Sequence, residues 1–311
     1  MSQLTSSVSQ STNAATRHSR YRHDHLRPLK CVGNWQLTKL AGRGSYTEVY
    51  LARPTGCRPN WPADYAVKIL RPQFAADELA IEVLHREVEV ASQVSHQHLV
   101  PILEAHLDGP DRYVVMPRLK GVSVAEVIAK AGHISTRQSL WIVRQAAEAL
   151  YALHQSGWLH GDVKPENIML SAQGHVTLID LGFALRTNEA MNTAQRTVRA
   201  TLNYVAPETM TSAYAASERS DIYSLGITLF EMLTGRLPFD HPNAGQLIES
   251  HRSQPIPDPR QFNAGIPREV VRLLSRMTAK QPVRRPQDAR ELVNDVLPLE
   301  VSALRSERVA G

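Results

Sequence analysis

Apolar residues alternate with polar ones over the first third of the chain and then shift to helical spacing. Trp35, Leu37 and Leu40 lead into Gly42, Arg43 and Gly44, and a strand-like pattern resumes over residues 48–53. Two such runs across a glycine-containing break predict two strands joined by a turn. Residues 53–63 are rich in Pro, Gly and polar side chains, which predicts an exposed loop before a third strand over 65–70. From residue 77 to 94 the period changes. Leu84, Val88, Ala91 and Val94 recur at helical spacing, so a helix follows. Short apolar runs at 99–103 and 113–116 predict two further strands. Five strands and one helix describe a small β-rich first lobe.

Beyond Lys120 the pattern is helical. Ser135 with Gln138 three residues later is a capping-box signal, and Leu140, Val143, Ala147, Leu150 and Leu153 continue it as one buried stripe. Runs at 168–170 and 176–179 flank Gly174 and predict a hairpin. Residues 220–233 are apolar at Ile222, Leu225, Leu229, Phe230 and Leu233, which predicts a helix at the centre of its lobe, with Gly235 as its stop. Two more amphipathic helices are predicted over 267–277 and 286–297. No internal repeat is visible.

A chain of 311 residues with two fifths hydrophobic positions has room for two lobes and a sizeable core. The net charge of +5 is concentrated: Arg17, Arg20, Arg22, Arg27 and Lys30 against Asp24 leave the remainder nearly neutral. A general nucleic-acid binder is a poor reading, because its basic face should lie in the folded part. Cys31 and Cys57 are the only cysteines, so a disulfide framework is not expected and a reducing cytoplasm is. No apolar run is long enough to span a bilayer. Residues 1–32 are rich in Ser, Thr, Gln, Arg and His, which predicts a disordered basic tail. An organelle transit peptide is the alternative, but its arginines are crowded at one end.

The chemistry is concentrated in His160, Gly161, Asp162, Val163, Lys164, Pro165, Glu166 and Asn167, with Asp180, Leu181 and Gly182 following the hairpin. A carboxylate, an amine two residues on, an asparagine five on and a second carboxylate before a glycine are what phosphoryl transfer from ATP needs. At these residues the chain resembles the eukaryotic-type serine/threonine protein kinases, most closely their bacterial branch. The resemblance implies an α+β, bilobal protein-kinase-like fold. It divides the chain into a tail (1–32), a kinase domain (33–297, lobes meeting near 119/120) and a short C-terminal tail (298–311).

The resemblance also carries roles onto residues. Asp162 would orient the acceptor hydroxyl, Lys164 would steady the γ-phosphoryl group, and Asn167 and Asp180 would bind Mg²⁺, or Mn²⁺ in its place. Lys68 would contact the ATP phosphates and pair with Glu87. That glutamate lines up with Ala91 and Val94, whereas its rival Glu89 falls on another face. Gly42 and Gly44 would admit the phosphates, although Thr47 stands where the family has a third glycine. Val49, Ala66 and Met169 would sandwich the adenine, with Met116 beside it as gatekeeper. Pro117 would offer its carbonyl and Leu119 its N–H. His160 would be structural, and the other histidines lack the spacing of a zinc site.

Two departures stand out. Leu181 replaces the commoner phenylalanine and keeps an apolar plug. Gly161 replaces an arginine that, in the family, grips a phosphate on the activation loop, which implies activity that depends little on loop phosphorylation. His-Gly-Asp also occurs in small-molecule phosphotransferases of the aminoglycoside and choline kinase type. Against that rival stand Lys164, the run Thr201 to Glu208, Asp221 and Arg285, which match protein kinase positions in order. A pseudokinase is a third reading, but the lysine and both aspartates are filled. The expected partners are proteins bearing Ser or Thr, with the tail as a possible docking point for a regulator.

Overall fold

The computed structural model describes residues 30–58, 60–187, 189, 202–210 and 216–310. Residues 1–29 of the expected tail, and Thr193, Thr197 and Thr201, lie outside these. The first lobe is built on six strands: β1 (Cys31–Val32), β2 (Trp35–Arg43), β3 (Thr47–Pro54), β4 (Tyr65–Leu70), β5 (Glu104–His106) and β6 (Tyr113–Pro117). They form one antiparallel sheet in the order β1, β2, β3, β4, β6, β5. The two-residue alternation of strands decides where the chemistry points. In β4, Val67 and Ile69 join Trp35, Leu37, Ala52, Tyr113 and Val115 on one face. Ala66 joins Leu84, Val100, Val114 and Met116 on the other. Lys68 is two residues from Ala66 and shares that second face.

The helix that covers this face is α1 (Glu78–Gln93), capped by the Asp77 carboxylate, which accepts from the Ala80 N–H at 2.9 Å. Its buried row is Ala80, Val83, Leu84, Glu87 and Val90. Two expectations need correction here. The strand predicted over 99–103 lies instead at Glu104–His106. Leu99 and Val100 are taken by the second lobe: Val100 N–H donates to the Leu178 carbonyl at 3.0 Å, and Leu178 N–H to the His98 carbonyl at 2.8 Å. The tail drawn through residue 32 also ends earlier, since Cys31 and Val32 pair with Gln36 and Trp35.

The second lobe contains α2 (Val124–Ala131), α3 (Thr136–Gln155), α4 (Glu218–Thr234), α5 (Ala244–Ser253), α6 (Arg268–Met277) and α7 (Ala289–Ala310). Ser135 caps α3, and Gly235, with φ +69°, closes α4. The apolar residues of α4 named above are all 0 % exposed, so this helix is the centre of the lobe. Helix α7 runs past the Leu297 boundary and through Pro298 to Ala310. Part of the reason is Glu300, which is 4 % exposed and accepts from Arg144 Nε of α3 at 2.7 Å, so the segment drawn as a tail is packed. Among the described residues no helix is long and apolar enough to cross a membrane.

Three short strands, β7 (Gly121–Ser123), β9 (Ile168–Ser171) and β10 (Val176–Leu178), form a second sheet. The pair β8 (Trp158–Leu159) and β11 (Leu185–Arg186) forms a third. Together they clamp the 160–167 loop at both ends.

Beneath this frame Tyr223 Oη meets His251 Nδ1 at 2.8 Å in a buried contact. Burial pushes the His251 imidazole down from 6.5 to about 4, and the nearby Lys280 adds to the shift against a backbone hydrogen bond at Asn203. The unfolded chain therefore takes up a proton below about pH 6.5 that the folded chain refuses until about pH 4. Stability should fall by about 2 kcal/mol between pH 7 and pH 5 through this group alone. Urea unfolding of wild type and His251→Gln at both pH values checks it: the variant should lose that part of the slope, and equal slopes would refute the assignment.

Candidate active site

Lys68 reaches across from β4 to two carboxylates. Its Nζ lies 2.7 Å from Glu87 Oε2 on α1 and 2.8 Å from Asp180 Oδ1, which follows β10. The alternative Glu89 is turned away and meets Arg186 Nη2 at 2.9 Å. Burial would favour a neutral lysine, but the two carboxylates outweigh it and hold the ammonium charged. Burial likewise pushes Asp180 up, and Lys68, Lys164 and His160 overcome it so that the net shift is downward. Glu87, more enclosed, is raised by burial against the pull of Lys68.

Asp180 is the only non-glycine among the described residues with positive φ, at +66°. Such a conformation is held by its surroundings and is common at functional sites. Here the surroundings are the turn Leu181–Phe183. Leu181 is 1 % exposed within the core, and a Cβ on Gly182 would come within 2.6 Å of Val83 Cγ1 and 2.8 Å of its carbonyl oxygen. Only glycine lets the turn lie against α1. The same contact holds Asp180 in reach of Lys68.

The 160–167 loop gathers the other groups. Asp162 Oδ2 accepts from Lys164 Nζ at 2.7 Å and from Asn167 Nδ2 at 2.9 Å, and Asn167 Nδ2 also donates to the Asp162 carbonyl at 2.8 Å. Burial pushes the Asp162 carboxyl up against the pull of Lys164, with Asp180 adding to the rise. A carboxylate made more basic in this way is a better acceptor for a hydroxyl proton. Beneath the loop, Asp221 of α4 accepts from the His160 and Gly161 N–H groups at 2.8 and 2.9 Å, and His154 Nε2 of α3 lies 2.9 Å from the same carboxylate. His154 was not foreseen, although it extends the buried stripe of Leu150 and Leu153. Gly161 has φ +76°, and a Cβ there would sit 2.6 Å from the Phe183 carbonyl oxygen. At this backbone geometry any side chain would meet that oxygen, so the loop requires glycine here.

Between the lobes, Val49, Ala66, Met116 and Leu119 share one apolar cluster. Ile179 belongs to it too, and its position next to Asp180 was the signal by which it could have been found. Pro117 ends β6 opposite Tyr65, and Met169 sits half-buried in β9 opposite Thr177. Gly42 pairs with Val49 across β2 and β3, and Gly44 N–H donates to the Thr47 carbonyl at 2.8 Å. A Cβ at Gly42 would meet nothing within 4 Å, so the fold itself does not require glycine there. Its missing side chain leaves open space on the β2–β3 turn. That space, the hard oxygen donors of Asn167 and Asp180 and the charged Lys68 fit a nucleotide phosphate chain with Mg²⁺.

The downstream frame is also in place. Arg285 Nη1 and Nη2 grip the Glu208 carboxylate at 2.7 and 2.8 Å, and Ser220 Oγ donates to it at 2.7 Å. A model of the protein kinase domain matches residues 35–297. The chain belongs to the protein kinase family. Among curated proteins this kinase chain is similar to the serine/threonine-protein kinase PrkC of Bacillus subtilis, 31 % identical over 264 residues, covering 85 % of this chain and 40 % of PrkC. It is 34 % identical over 261 residues to the serine/threonine-protein kinase PknH of Mycobacterium tuberculosis, covering 84 % and 41 % of the two chains. PknD of the same organism is 33 % identical over 261 residues, covering 84 % and 39 %. The kinase chain thus spans about two fifths of the length of these relatives.

Proposed function

We propose that the protein is a serine/threonine protein kinase that transfers the γ-phosphoryl group of ATP to Ser and Thr hydroxyls of proteins, itself included. The observation that carries this reading is Lys68 Nζ, placed 2.7 Å from Glu87 and 2.8 Å from Asp180, beside a loop in which Lys164 meets Asp162 at 2.7 Å. ATP with Mg²⁺ supplies the transferable group and the cationic charge that neutralises its oxygens. Asn167 and Asp180 would hold the metal, which Mn²⁺ could replace, and Lys68 would hold the α- and β-phosphates under Gly42 and Gly44. Val49, Ala66, Met116 and Met169 would enclose the adenine, with the Pro117 carbonyl and Leu119 N–H at its edge. Asp162 orients the acceptor hydroxyl and takes its proton, and Lys164, already bonded to Asp162, neutralises charge where the two substrates meet.

Gly161 leads us to expect little dependence on loop phosphorylation. Thr193→Ala and Thr197→Ala, singly and together, should lower kcat/KM less than tenfold in peptide assays, and a larger loss would count against this part of the reading. We place the protein in the cytoplasm, where Cys31 and Cys57 would stay reduced, and keep the basic tail that precedes β1 as a candidate docking point for a regulator beside its reading as a plain solvated leader. The deciding experiment is mass spectrometry of the full chain after incubation with Mg²⁺, ATP and a generic basic protein, beside Asp162→Asn. Phosphoserine or phosphothreonine formed only by the wild type is expected. ATP binding with no phosphate transferred by either protein would overturn the assignment.

A further inference from the structure

Helix α1 has two working faces. Glu87 points to Lys68, and Arg86, one residue earlier and about 100° around the helix, points to the segment after the Asp180 turn. Arg86 Nη2 lies 2.7 Å from Glu189 Oε1, and the other oxygen of that carboxylate accepts from the Arg186 N–H at 2.9 Å. Arg186 completes the clasp from the opposite side. Its Nη2 donates to Glu89 at 2.9 Å and to Gln93 at 3.3 Å, both on α1. Between the two arginines is the fully buried Trp158, with the Arg186 guanidinium 4.3 Å and the Arg86 guanidinium 5.3 Å from its ring centre. The indole N–H donates to Gln93 Oε1 at 3.1 Å. Since Trp158 and Arg186 are paired across β8 and β11, the clasp ties α1 to the strand pair that flanks the catalytic loop.

We propose that Arg86 and Glu189 are positioning residues: the Glu189 carboxylate supplies, within the unmodified chain, the anion that anchors α1 inward and so keeps Glu87 on Lys68. An anion tied to an arginine of α1 and to the backbone N–H of Arg186, in the strand that follows the Asp180 turn, does what a phosphate on this segment would do. It fits a loop whose Gly161 backbone leaves no room for an arginine to receive such a phosphate. The two side chains are only 15 % and 32 % exposed, so their attraction is less screened than that of an open surface pair. This role rests on the phosphotransferase reading of the same site.

The test is a double-mutant cycle in the full chain, with Arg86→Gln, Glu189→Gln and the pair, each treated with phosphatase and shown by intact mass to carry no phosphate. Two readouts are taken: kcat and KM for ATP with a peptide acceptor, and amide hydrogen exchange of residues 78–93. Each single variant should lose about fivefold to tenfold in kcat/KM, with faster exchange across α1, and the double should be no worse than either single. Arg86→Lys, which keeps the charge, should recover most of the loss. Effects of the two singles that multiply in the double, or α1 exchange unchanged by both, would overturn the proposal. If the wild type transfers no phosphate, the functional reading fails, while α1 exchange still decides whether the pair positions the helix. A variant that fails to fold would show exchange across the whole chain rather than in α1.

Discussion

Asp162→Asn is expected to lower kcat for peptide phosphorylation by about a hundredfold to ten-thousandfold while KM for ATP stays within about twofold. The Asn oxygen can still accept from Lys164 or Asn167, which now donate to Asp162 Oδ2 at 2.7 and 2.9 Å, so the loop keeps its shape. What disappears is the basic oxygen. Lys68, Glu87 and Asp180, assigned to the phosphates and the metal, are bonded to each other and not to Asp162, and Asn167 keeps its bond to the Asp162 carbonyl at 2.8 Å whatever the side chain becomes. Stability should move in the opposite direction. Burial raises the Asp162 carboxyl above its unfolded value, so near pH 7 its ionised form disfavours folding, and the sign of the linkage makes a neutral isostere neutral or stabilising. A folded Asp162→Asn that keeps a tenth or more of wild-type kcat would show that another group handles the acceptor proton. A Tm lowered by several degrees would show that the carboxylate holds the loop together.

Much of this was legible in the chain because periodicity and chemistry coincide. The β4 alternation, which places Lys68 on the face of Ala66, and the helical period that separates Glu87 from Glu89 can both be read without coordinates. The pattern was less informative where the partner is distant in sequence. Residues 99–103 look like a strand, yet Leu99 and Val100 are claimed by Leu178, a competition between lobes that a local window cannot register. The end of α7 was hidden for a similar reason. A proline after Leu297 reads as a stop, and the Arg144–Glu300 bond across 156 residues that packs the continuation leaves no mark in the periodicity. Gly161 stood out in the sequence only against the family pattern, whereas its positive φ and its approach to Phe183 give a physical reason for glycine there. The clasp of Arg86, Glu189 and Arg186 around Trp158 gave no signal at all, since charged residues at those positions read as an ordinary solvated face.

Asp221→Ala should damage fold and catalysis together, in contrast to Asp162→Asn. Three donors converge on this carboxylate, which is 2 % exposed: the His160 and Gly161 N–H groups and His154 Nε2. Removing it leaves buried donors with no acceptor, at a cost of about 3 to 5 kcal/mol. For a domain of this size that corresponds to a Tm lower by about 6 to 15 °C. Asp221→Asn is not conservative either, because its NH₂ would face donors already pointing inward. Below the new Tm, kcat should still fall, since the loop carrying Asp162 begins at the two amides that Asp221 holds. Burial raises the Asp221 carboxyl, but His154, His160 and the Gly161 amide outweigh it and leave it below its ordinary value. A depressed carboxyl contributes stability above its unfolded value and loses it as pH falls through the folded one, so this contribution disappears only below about pH 4. The loss assigned to His251 occurs between pH 7 and pH 5 and should be the same in wild type and Asp221→Asn. Thermal unfolding of both proteins at pH 7, 5 and 4 separates the two windows. A stability gap that closes by pH 5, or an Asp221→Ala protein within 2 °C of wild type, would show that the loop is held by something other than this carboxylate.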